Sequence, residues 1–427
     1  RMVLRREALS GLLACGLLAG GCPPPNAGVG GRESPLPQPR PGPSPGTGAA
    51  PVAKPRPSLP KTGPMRAIWV TRFDYRTPAD IQRIMENCDN LGMTAVFFQV
   101  RGNGTAFYRS QLEPWADELG GRDPGFDPLA VAVVEAHARG LQLHAWVNVM
   151  PGWQGPDPPR NSLQLYHARP EWFWYDQRGA RQPLVQVNEG RREGWYVSVN
   201  PCLPDVRQYL VSVFQEIVQG YDVDGLHMDY IRFPNETAAR GVDYPYDKRT
   251  LSLYRSQTGR TPSQSKGRWT QWRTEQVSAV VRETRAMMRR VRPRAVLSTA
   301  VGPDPDRARS EHYQDGETWA RNGWIDFLCP MDYTADEQLF VRRAHAWRGR
   351  AHGRPVLMGL GLFLHKTTAP TLRQLELAEG WRQGFCLFSY VSLCTSPDEK
   401  LRQGATDQLR RERVAVVQKV AVRMIGR

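Results

Sequence analysis

Residues 221–234 read YDVDGLHMDYIRFP. At the heart of this stretch, 224–232 is a short apolar run with a period of two. Leu226, Met228 and Tyr230 share one face; Gly225, His227 and Asp229 share the other. Leu226 and Met228 suit a face packed against helices. Asp229 therefore belongs on the opposite face, near the carboxyl end of a strand. If the strand belongs to a barrel, that end is where barrel folds build their sites.

Seven further runs with β-branched or aromatic residues flank it: 66–72 (RAIWVTR), 95–101 (AVFFQVR), 142–149 (QLHAWVNV), 295–301 (AVLSTAV), 325–333 (IDFLCPMDY), 355–362 (PVLMGLGL) and 384–390 (GFCLFSY). Helical patterns fall between many of them, at 79–91, 128–140, 205–219, 272–291, 336–348 and 370–381. Thr77-Pro78 and Asp127-Pro128 are helix-start signals, and Asp205 opens the third. Strands alternating with helices predict parallel βαβ units, and eight strands predict closure. The expected fold is α/β: a (β/α)₈ barrel with long loops after strands 3 and 4 (150–223 and 233–294). No GxGxxG follows the first strand, which disfavours a dinucleotide-binding sheet.

The same alternation selects the mouth residues. It places Arg101, Asn148, Asp229 and Asp332 inward at strand ends, with Trp146 and His227 one layer deeper. Carboxylates, Arg, His, Asn and Trp converging at a barrel mouth suit a polar substrate. A structural ion pair of Asp229 with Arg101 or Arg232 is the plain alternative. Asp224, at the amino end of its strand, reads as structural. The 150–223 loop holds Trp153, Trp172, Trp174, Tyr175 and Trp195. Such a set, if exposed, stacks on sugar rings or, in the same way, on nucleic-acid bases; if not, it forms a small satellite core.

RAIWVTR, YDVDGLHMDYIRFP and DFLCPMDYT resemble the glycosyl-hydrolase-like 10 family over about Met65 to Tyr390, and WYVSVNPCLPDVRQYL adds to the match. The resemblance implies a (β/α)₈ barrel and hydrolysis of glycosidic bonds, with bacterial cell-wall glycan stripped of stem peptides in the substrate class. The family's carboxylate at the end of strand 4 falls on Asp229. Trp172 and Asn200 fall on its loop pattern. The chain departs from that pattern after strand 5 (LSTAVGPDPD) and at Pro330-Met331-Asp332-Tyr333.

Glycoside hydrolysis needs two carboxyl groups about the scissile oxygen. Asp229 is the expected nucleophile or base, and Asp332 the expected general acid. Glu236 and Asp304 are the alternatives. Arg101, Trp146, Asn148, His227, Arg232, Trp172, Asn200 and Tyr333 are the expected substrate-binding set. No cofactor and no metal is expected. A non-catalytic glycan-binding protein is the first rival. A metal-dependent hydrolase using His144, His227, Asp229 and Asp332 is the second.

Residues 1–22 resemble an export signal. A basic Arg5-Arg6 precedes an apolar run, and Ala19-Gly20-Gly21 leads into Cys22. Cys22 is the expected lipidation site, and Arg5-Arg6 also resembles a twin-arginine signal. Residues 23–64 hold 14 Pro among 42 residues, which fits an extended tether that buries no core. Residues 65–427 are the expected barrel with a C-terminal helix. The partners expected are a polysaccharide and a membrane reached through the lipid, not nucleic acid. The net charge of +15 comes with only seven Lys, so it reads either as ordinary Arg-rich surface or as suited to an anionic glycan. Seven scattered Cys make neither a zinc pattern nor a disulfide framework.

Overall fold

The computed structural model describes residues 63–188, 191–233, 241–397 and 405–425. The signal-like stretch with Cys22, the tether as far as residue 62, and Glu236 lie outside the described residues.

Eight parallel strands close into a barrel: β1 (Arg66–Val70), β2 (Ala95–Arg101), β3 (Gln142–Asn148), β4 (Gly225–Asp229), β5 (Val296–Val301), β6 (Phe327–Asp332), β7 (Met358–Gly361) and β8 (Phe385–Phe388). Each of the eight apolar runs supplies one strand, in chain order. β8 returns to β1 by pairing Phe385 with Arg66. The helices between strands begin where the chain offers caps. Thr77 and Asp80 bond each other's backbone across the first turn of Pro78–Asn90. Asp127 accepts from Ala130 N–H at 3.1 Å at the head of Pro128–Ala138. Both helices place Pro in the first turn, where its missing N–H costs nothing.

Alternation along the strands divides two cores. Ala67, Trp69, Phe97, Trp146, Phe327, Cys329, Leu357 and Cys386 fill the barrel interior. Ile68, Val70, Phe98, Val100, Leu226, Met228, Leu328 and Leu360 pack against the helices. The long connections carry elements of their own. Two antiparallel strand pairs (151–154 with 196–198, 185–188 with 191–194) and helix Pro204–Gly220 lie between β3 and β4. Helices Lys248–Thr258 and Lys266–Val291 lie between β4 and β5. The second of these starts six residues before the expected 272. Its added turn carries Trp269, stacked on Trp272 at 5.4 Å. The helix expected after Tyr390 is Asp407–Ile425. It reaches back to the first helix, where Gln418 Nε2 donates to the Asn90 carbonyl at 2.9 Å.

Candidate active site

β4 follows its pattern. Leu226 and Met228 face the helices, and His227 and Asp229 face inward. Asp224, just ahead of the strand, accepts from Leu143 N–H and His137 Nε2, both at 2.8 Å, so it ties β4 to β3 and to helix 128–138. Asp229 sits at the mouth, 5 % exposed. Its Oδ1 accepts the Tyr230 N–H at 2.6 Å and lies 3.7 Å from Arg232 Nη1. The chain makes this approach by turning at Tyr230, whose φ is +49°. A left-handed aromatic residue costs on the order of 1–3 kcal/mol, and such strain gathers at working sites. The Tyr230 ring is fixed on both sides, by Tyr196 at 5.0 Å and by the Arg232 guanidinium at 4.3 Å.

Below Asp229 the barrel is floored by aromatics. Trp69 of β1 stands at the centre, against Phe97, His227, Tyr333 and Phe388. Glycines of β7 make room for it. A Cβ on Gly359 would come within 2.9 Å of the Trp69 ring, and one on Gly361 within 2.7 Å of Tyr333 Cβ. Tyr333 borders Asp229: burial first, then the Asp229 charge, raise its hydroxyl well above the usual tyrosine range. Asn148 is the β3 partner of Asp229. Its Nδ2 donates to the Gly102 carbonyl at 3.0 Å, while its buried Oδ1 has no partner. That oxygen is a buried, unsatisfied acceptor directly beside Asp229 in the neighbouring strand. Trp146, one layer deeper, leaves its buried Nε1 without a partner as well.

The wall on the β1 side is built by Arg72. Its Nε donates to Glu118 at 2.7 Å, Nη1 to the Tyr196 hydroxyl at 3.0 Å and Nη2 to Gln154 Oε1 at 2.6 Å. One buried guanidinium thus joins the loop after β2 to the pair 151–154/196–198. A model of the glycosyl hydrolase-like 10 family matches residues 64–366, a span running from β1 through β7.

The chain belongs to the glycosyl hydrolase-like 10 family. It is 24% identical over 335 residues to the "Glycosyl hydrolase YngK" of Bacillus subtilis (strain 168), a match covering 71% of this chain and 61% of that one. It is 27% identical over 316 residues to the "Glycosyl hydrolase DigH" of Escherichia coli (strain K12), covering 63% of this chain and 65% of that one. The matches therefore span less than two thirds of these curated relatives. Among solved structures, the β-galactosidase of the psychrophilic Marinomonas ef1 superposes with a TM-score of 0.58 at 12% identity, over 84% of this chain and 59% of that one. That likeness is one of barrel fold.

This member of the glycosyl hydrolase-like 10 family gathers Asp229, Arg232, Asn148, Trp146 and Tyr333 at or just below the mouth. Four other expected site residues lie elsewhere. Asp332 is on the outer face of β6, because the inward set there is Phe327, Cys329, Met331 and Tyr333. An apolar interior below the mouth favours that phase, and Asp332 instead meets Arg343 of helix Glu337–Arg350 at 2.8 Å. Arg101 is turned outward by a register shift in β2 between Gln99 and Arg101, and is wholly buried against Glu113. Trp172 is buried beside Tyr209 and donates Nε1 to Asp205 at 3.0 Å, so it is satellite core. Asn200 is spanned by Asp247 at 3.0 Å and Thr250 at 2.8 Å, and anchors helix 248–258.

His227 is inward but occupied. Trp69 Nε1 can only donate, so His227 Nε2 accepts it at 3.1 Å and Nδ1–H faces Ser298 Oγ at 2.9 Å. The ring is thereby held neutral, and burial lowers its pKa well below the ordinary histidine value. It supports Trp69 rather than meeting a substrate. With Asp332 on the far face and both His227 nitrogens engaged, the four proposed metal ligands do not converge. Asp304 caps helix Pro305–His312 through two N–H groups at 3.0 Å. Arg72 and Trp69 escaped the sequence reading; position at and near the end of a first strand was their only signal.

Asp332 has a measurable consequence of its own. Burial, opposed by Arg343 and reinforced by Asp304, raises its pKa to about 7, and its Oδ2 has no partner. The folded protein keeps this proton up to that pH; the unfolded chain gives it up near pH ~4. Stability therefore falls as pH rises from about 4 through 7. Asp332→Asn should flatten this slope in urea midpoints measured between pH 4 and 8. An unchanged slope would remove Asp332 as its source.

Proposed function

We propose that this chain is an exported glycoside hydrolase that cleaves a polysaccharide, the cell-wall glycan stripped of stem peptides, while held at the membrane by lipid on Cys22. One observation carries the reading. An Arg-held carboxylate, Asp229, stands at the carboxyl end of β4 above an aromatic floor. The aromatic faces suit the apolar faces of a sugar ring. Asn148 Oδ1 suits its hydroxyls. Asp229 acts as nucleophile or base, with Arg232 keeping it ionised. The proton for the leaving oxygen comes from a carboxyl group on the loops over the mouth. Names of relatives that read as glycosyl hydrolases support the reaction class.

A second reading has its own observation. With Asp332 on the outer face, Asp229 is the carboxylate that the described strand ends present inward. A glycan-binding protein without turnover needs no second one. Purified sacculi, intact and stripped of peptides, separate the two. Hydrolysis predicts new reducing ends, more from stripped than from intact material. Retention on the glycan with no reducing ends favours the binding protein, and neither result would sink both.

A further inference from the structure

One cavity beside the mouth is not used by this reading. It has a volume of about 350 Å³ and opens past the carboxyl end of β7. Phe363, Lys366, Thr367 and Thr368 line one side, and Glu412 and Arg413 of helix 407–425 line the other. Phe363 also packs against Tyr333 at 5.6 Å and Phe388 at 6.0 Å. The same ring thus walls both the cavity and the floor under Asp229.

The cavity is cationic by construction. Arg413 is 1% exposed. It donates to three backbone carbonyls, those of Ser392 (3.1 Å), Leu362 (2.8 Å) and His365 (2.5 Å), and its Nε has no partner. Among the described residues, carbonyl dipoles balance its charge and no carboxylate pairs with it. A buried cation without a counter-charge is costly and favours a bound anion. Arg410, one turn earlier, adds positive potential. Helix Thr368–Trp381 also starts here, and Thr367 gives it no side-chain cap. Its first N–H groups and its dipole favour negative charge. Lys366 is exposed at the rim. The opposing charges among the described residues are Glu412, exposed and bonded by Gln408 Nε2 at 2.9 Å, and Asp407, which lies 3.7 Å from Arg410. His365 contributes none: it bonds Thr371 and Thr334, and burial lowers its pKa.

We infer that this cavity is an oxyanion subsite, and that its occupant is a carboxylate carried by the bound glycan. The occupant's identity rests on the glycan reading above; the site itself does not. Free inorganic phosphate shares the chemistry and is the other source to be distinguished.

Calorimetric titration of the full chain carrying Asp229→Asn, which prevents turnover, tests this. The probes are peptide-free cell-wall oligosaccharides, with carboxylates intact or reduced to alcohols, and inorganic phosphate. At low salt the intact oligosaccharide should bind about tenfold more tightly than the reduced one, the scale of one charge-assisted contact. Lys366→Glu should bring that ratio below about twofold without changing affinity for the reduced probe. Lys419→Glu, the same charge change elsewhere on helix 407–425, should leave the ratio intact. Equal affinities for the two oligosaccharides overturn the carboxylate assignment, even if phosphate binds. If neither oligosaccharide binds, the glycan reading has failed and phosphate decides the site. Thermal stabilisation by phosphate that Lys366→Glu abolishes keeps the site; no stabilisation overturns it.

Discussion

Asp229→Asn is expected to cut the release of reducing ends from peptide-free glycan by about 10³-fold or more. Loss of a positioned acid or base costs about 10²–10⁴-fold, and loss of a nucleophile belongs at the upper end. In free energy a factor of 10³ is about 4 kcal/mol of barrier. The substitution is isosteric. Asn keeps an oxygen to accept the Tyr230 N–H, so the left-handed turn at Tyr230 retains its partner. Arg232 loses its ionic contact with Asp229 but keeps its place over the Tyr230 ring. The melting temperature should therefore move by only a few degrees, roughly what 1 kcal/mol gives in a chain of this size. Rate and stability thus separate. A variant that folds like the wild type and still releases reducing ends would move the chemistry away from β4. Retained glycan binding with lost turnover would fix Asp229 as a reacting group.

The largest stability effect is expected at Arg101. Its Nε meets both Glu113 oxygens, at 3.0 and 2.9 Å, and Nη2 meets Oε1 at 2.7 Å, with both side chains wholly buried. Nη1 donates to the carbonyls of Asn148, Val149 and Pro151. One guanidinium therefore clamps the turn after β3 to the loop after β2. Removing one partner strands the other charge in the interior, which costs about 3–5 kcal/mol. Against a total of about 5–15 kcal/mol this leaves little reserve. Arg101→Met and Glu113→Gln should each lower the unfolding free energy read from urea titration by that amount, while Arg101→Met with Glu113→Leu recovers much of it. Single variants costing under ~1 kcal/mol would show that the clamp is not what holds the turn. Because Asn148 is part of that turn, Arg101→Met should also weaken glycan binding.

Arg101 also shows where sequence reading stops. The eight strands were legible because their apolar runs have a period of two and capped helices stand between them. Asp229 was legible because Leu226 and Met228 fix the phase of β4 from within the strand. β6 offered no such anchor. Apolar residues occupy both of its faces, Phe327 and Cys329 inside and Leu328 outside, so the phase rested on its charged ends. Both ends have other uses: Asp326 accepts from Leu297 N–H at 2.7 Å, and Asp332 meets Arg343. In β2 the alternation is sound as far as Gln99, and then the register shift rotates Arg101 out of line. Local pattern carries no mark of that shift. Trp172 and Asn200 were misplaced for a third reason. A long connection that folds on itself can bury its aromatics and amides as a satellite core, and composition alone carries no mark of whether it does.

The hydrogen bond from Gln418 to Asn90 joins residues 328 positions apart. β1 likewise finds its second neighbour only in β8. Both are contacts that a growing chain cannot make until residues 418 and 385–387, respectively, have been synthesised. At 5–20 residues per second, residue 90 waits roughly 15–65 s for residue 418. Through that interval the nascent sheet has two unpaired edges, each a template for pairing with another chain. Such a protein assembles late and all at once, so its yield in a cell depends on how long its open edges are shielded as much as on how stable the finished ring is.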